Sequence, residues 1–119
     1  MIHTLQETAV QTITTMGDYV SGGRDVVLEV VLGEGQQGLI RVRHNGEVVA
    51  EESDRLRASI RPGTGSVRVK AVVNHTSRDT PAAVITYRFS GGPQPDAFRE
   101  QGDFGQGEPI EFRGDFTLS

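Results

Sequence analysis

Apolar and polar residues alternate most regularly between Val67 and Phe89. In a first run Val67, Val69, Ala71 and Val73 fall on one side, and Arg68, Lys70 and Val72 on the other. In a second run Ala83, Ile85, Tyr87 and Phe89 share a side opposite Val84, Thr86 and Arg88. Side chains leave a strand on alternate faces, so each run predicts a strand with one buried face. The polar stretch NHTSRDTP joins them, and Pro81 at its end lacks the N–H that a ladder needs.

The same reading extends along the chain. Asp25 to Leu32, DVVLEVVL, is nearly continuous in apolar residues and predicts a central strand covered on both faces, or nearly so. GEGQQG then reverses the chain, and Ile40 and Val42 alternate with Arg41 and Arg43. Asn45-Gly46 tolerates the positive φ angles of a two-residue type I′ hairpin, which places Val48, Val49 and Ala50 in the returning strand. Leu56, Ala58 and Ile60 alternate with Arg55, Arg57 and Ser59 in a short strand that ends at Arg61-Pro62-Gly63. Ile110, Phe112, Phe116 and Leu118 predict a last strand, bent at Gly114.

Two stretches are less regular. Ile2, Leu5, Ala9, Ile13 and Met16 follow helical spacing, whereas Thr4, Thr8, Thr12, Thr14 and Thr15 favour extended backbone. The threonines weigh more, and a strand is expected near Thr8 to Thr15. From Gly91 to Pro109, eight of nineteen residues are Gly or Pro. That predicts a long irregular loop over 91–109, with one helical turn at Asp96 to Gln101.

Seven or eight short strands with frequent turn signals predict an all-β fold: one domain over 1–119, an antiparallel β-sandwich of immunoglobulin-like or related topology. The Cys and Trp hallmarks of antibody domains are absent, so that likeness is architectural. Composition agrees. Val occurs 14 times against 6 Leu, a skew toward the branched side chains that suit a pleated surface. With no cysteine there is no disulfide framework and no thiolate metal site, and no cofactor is expected. No stretch approaches the length of an apolar membrane helix. The opening MIHTLQETAV lacks the basic flank and long apolar run of a signal peptide, which leaves a cytoplasmic home and export after leader removal both open.

Charge changes the picture more. The net charge of −4 is unevenly spread: residues 1–36 and 91–119 each carry −4, and residues 37–90 carry +4. Eleven of the twelve basic residues are Arg, whose planar fork binds carboxylate or phosphate. Arg41, Arg43, Arg55, Arg57, Arg68, Lys70 and Arg88 all fall at outward positions and would form one basic face if their strands shared a sheet. The plainer reading pairs them across strands with acidic neighbours. Phe98 and Phe104 lie in the Gly/Pro-rich stretch, as anchors for a partner or as plugs for an open end of the sandwich.

No catalytic constellation stands out. His75, Ser77 and Asp79 could be written as a relay, but three residues of one short loop rarely converge as a triad does. GEGQQG lacks the following Lys-Ser/Thr and helix of a phosphate loop. The acids Asp96, Glu100, Asp103, Glu108, Glu111 and Asp115 do not follow a calcium-loop spacing. Asn74-His75-Thr76 matches a glycosylation sequon by a pattern common by chance. The expectation is a non-enzymatic binding or assembly module, offering a sheet face and a loop to a protein partner or to another copy of itself. A carbohydrate-binding module and a small hydrolase working through His75 or His44 are the alternatives. Nucleic acid is disfavoured, since the whole chain is acidic and no aromatic interleaves the arginines.

Overall fold

The computed structural model describes residues 11–33, 36–74 and 81–119. Within them, nine strands form two packed sheets, the expected all-β sandwich. Sheet A runs in the order β1 (Gln11–Tyr19), β9 (Ile110–Leu118), β6 (Gly65–Asn74), β3 (Gln37–His44) and β4 (Glu47–Ser53). Sheet B runs β5 (Arg55–Ile60), β2 (Val26–Leu32), β7 (Ala82–Ser90) and β8 (Asp96–Asp103). Neighbours are antiparallel except β1 and β9, which run parallel.

The two most regular runs are β6 and β7, and they are not ladder partners. β6 sits between β9 and β3 in sheet A, and β7 between β2 and β8 in sheet B. Their apolar sides meet across the core: Val67, Val69, Ala71, Val73, Ala83, Ile85, Tyr87 and Phe89 are all exposed by 2% or less. Burying a side chain of this size contributes about 1.5–3 kcal/mol. β2 adds Val26, Leu28, Val30 and Leu32 to the same core, but Val27, Glu29 and Val31 on its other side are only half-buried. It is central in its sheet yet covered on one face only.

Turn chemistry follows the sequence where a dipeptide dictates it. Asn45 and Gly46 have φ of 51° and 89°, the left-handed pair that a type I′ hairpin requires. Asp54, at φ 68°, carries the chain from β4 in sheet A to β5 in sheet B. A short polar side chain tolerates that conformation, and here it is tied down on both sides. Its N–H donates to Gly38 O at 2.8 Å, and its carboxylate accepts from Gly38 N at 3.0 Å.

The strand expected near Thr8 to Thr15 is present from Gln11 to Tyr19; its first residues, with His75, Ser77, Asp79 and part of the sequon, lie outside the described residues. Two further expectations need correction. The stretch 91–109 is not an irregular loop, because Asp96–Asp103 is strand β8, followed by one 3-10 turn at Phe104–Gln106. Gly114 does not bend β9, whose register with β1 and β6 runs unbroken through it. A side chain at Gly114 would instead strike the Phe116 ring at 2.6 Å and the Tyr87 ring at 3.1 Å. The glycine makes room for aromatic packing.

Candidate anion-binding face

Because β3, β6 and β9 each bury one side, their alternate residues stand on the outer face of sheet A in register. One row across the strands reads Glu51, Arg41, Lys70, Arg113 and Thr14. The next reads Val48, Arg43, Arg68, Asp115 and Met16. Thus Arg41 lies opposite Lys70, Lys70 opposite Arg113, and Arg43 opposite Arg68. Adjacent strands are only ~4.8 Å apart, and like charges placed directly opposite are destabilising. Five cations in one block therefore cost stability unless anions offset them.

Three carboxylates on the same face do part of this. Arg41 Nε donates to Glu51 Oε2 at 2.5 Å, Arg68 Nε meets Asp115 Oδ1 at 3.3 Å, and Lys70 Nζ meets Glu111 Oε1 at 3.5 Å. Arg113 shares Glu111 with Lys70, its Nε donating to Oε2. Arg43 donates to the carbonyl of Gly46 at 3.2 Å and meets no carboxylate among the described residues. The acids sit at the margins of the block and the cations at its centre. Together Arg41, Arg43, Arg68, Lys70, Arg113 and Asp115 line a concavity of about 500 Å³ that opens to solvent, floored by Val69. That is within the size range of small-ligand sites.

The seven basic residues singled out from the sequence do not form one face. Arg41, Arg43, Arg68 and Lys70 come together on sheet A, while Arg55, Arg57 and Arg88 stand on the outer face of sheet B. There Glu29 lies between Arg57 and Arg88 in the ladder, with Arg55 and Arg88 nitrogens at 4.0 and 3.9 Å from its oxygens. Arg113 was missed. Its signal was available, since Phe112 and Phe116 at inward positions put Arg113 outward.

Phe98 is half-buried and Phe104 buried, so neither stands out as a free aromatic anchor. Phe98 points inward from β8 and packs at 5.1 Å from the Phe116 ring, tight against Gly17. Phe104 is buried in the 3-10 turn. All seven aromatic residues face the interior, Tyr19 and Tyr87 included. The Tyr87 hydroxyl is buried without a hydrogen-bond partner, and burial, with Glu100 and Asp115 adding to it, pushes the phenol above its ordinary range. It stays neutral. His44 is half-buried, its Nε2 donating to Thr64 O at 2.7 Å, so that nitrogen is already engaged by backbone.

Comparison of the chain with protein-family models, with curated proteins and with solved structures gives no match.

Proposed function

We propose that the protein is a non-catalytic binding module whose outer face of sheet A docks an acidic surface of a protein partner. One observation carries this reading: five cations adjoin one another across three strands, with only three carboxylates at their margin. A neighbouring anion would offset repulsion that the chain itself leaves standing. Arginine suits the task, because its fork keeps donors free after one contact is made. Arg43, which meets no carboxylate among the described residues, and its opposite neighbour Arg68 are the pair that such an anion would meet first. The absence of an exposed aromatic on either face, among the described residues, favours a charged partner over a sugar. The immunoglobulin-like comparison rests on the five-plus-four strand packing and on the first described strand lying parallel to the last. A hairpin of β7 with β8 and the place of β5 beside β2 set its connectivity apart from the ABED and CFG sheets of antibody domains.

Fluorescence anisotropy with labelled polyglutamate at low salt tests the proposal. Arg43→Glu/Arg68→Glu is expected to weaken binding roughly tenfold, the equivalent of ~1.4 kcal/mol. Equal binding by this variant and the wild type would remove the face from the account.

A further inference from the structure

The geometry points to the kind of acidic element that this face accepts: an extended segment with carboxylates at every second residue, laid along β3 and β6. This rests on the reading of sheet A as the docking face and deepens it. The cations repeat along the strands as well as across them, Arg41 and Arg43 on β3, Arg68 and Lys70 on β6. Residues two apart on a strand are separated by ~6.6–6.8 Å. An extended peptide presents every second side chain to one side at that same interval, so its carboxylates meet successive cations without distortion. The two neighbouring files of cations, one on each strand, line the open concavity over which such a chain would lie.

A compact anion fits less well. A phosphate spans one row but not two, and at the centre it would concentrate its charge on cations that Glu51, Glu111 and Asp115 already hold from the margins. A carboxylate brings a single charge to each position. Arg43, without a carboxylate among the described residues, and its opposite neighbour Arg68 accept the first one. Val48 flanks that row on the outer face at 49% exposure, so an apolar residue beside the acidic stretch gains a contact there.

Three fluorescein-labelled peptides separate the possibilities: one with three aspartates alternating with serines, one with the same aspartates contiguous, and one with serine throughout. Exposed ion pairs shift an equilibrium by roughly one-and-a-half- to fivefold each, so a second matched pair should favour the alternating peptide over the contiguous one by about threefold. Arg43→Glu/Arg68→Glu should abolish this preference, and Arg43→Ser/Arg68→Gln, which adds no negative charge beside Asp115, should also reduce it. Equal affinity for both acidic peptides, or displacement of the alternating peptide by inorganic phosphate at a comparable concentration, would overturn the extended-segment reading while the face still binds acid. If polyglutamate binding is itself indifferent to the charge reversal, the docking face falls and this inference with it.

Discussion

The outer faces of the two sheets carry four arginines each, yet they are built differently. On sheet B, Arg55, Arg57, Arg88 and Arg99 never stand opposite one another; Glu29 separates Arg57 from Arg88, and Val31 and Thr86 separate Arg55 from Arg99. On sheet A, Arg41, Lys70 and Arg113 are consecutive across three strands, and Arg43 faces Arg68. The number of arginines does not distinguish the two faces. Their order across the ladder does, because an interposed carboxylate cancels repulsion locally and a marginal one does not.

Charge reversal should separate the two faces most sharply. Arg43→Glu/Arg68→Glu on sheet A should cost roughly tenfold in polyglutamate affinity, whereas Arg57→Glu/Arg88→Glu on sheet B should cost less than about threefold. Equal losses would mean that both faces act as a diffuse positive surface. A second, smaller effect concerns Glu29. Its replacement by Gln removes the one acid between two arginines, and thermal unfolding should show a loss of about 0.5–1 kcal/mol, as expected for a partly shielded pair. The same change should give sheet B some affinity for the acidic probe, since it then resembles sheet A. The smallest effect is expected from Arg43→Ser, which relieves the repulsion with Arg68 and should stabilise the fold by about 0.2–0.5 kcal/mol at low salt. That gain should fade in 0.5 M salt, where screening reaches only about 4 Å; a gain independent of salt would assign it to another cause.

Much of this was legible in the sequence, and the rest was hidden for physical reasons. Period-two alternation told which side of a strand Arg41, Arg43, Arg68 and Lys70 occupy, and all four are where it placed them. It could not tell which sheet a strand joins. The chain changes sheet at Asp54 and again between β6 and β7, and these crossovers sent Arg55, Arg57 and Arg88 to the opposite side of the molecule. β8 escaped notice because its inward positions are Phe98, Glu100 and Gly102, only one of them apolar and large. The inward position 102 holds glycine because Ile13 and Ile110 fill the space a side chain would need. The same cause disguised Gly114: glycine in these strands marks crowding by a neighbour, and composition alone reads it as a break.

Chemical-shift mapping during titration with the alternating aspartate peptide locates the docking face residue by residue. Amide shifts should cluster on Arg41, Arg43, Arg68, Lys70 and Arg113, with Arg55, Arg57 and Arg88 barely moved. Shifts of equal size on both faces, or confined to sheet B, would contradict that placement.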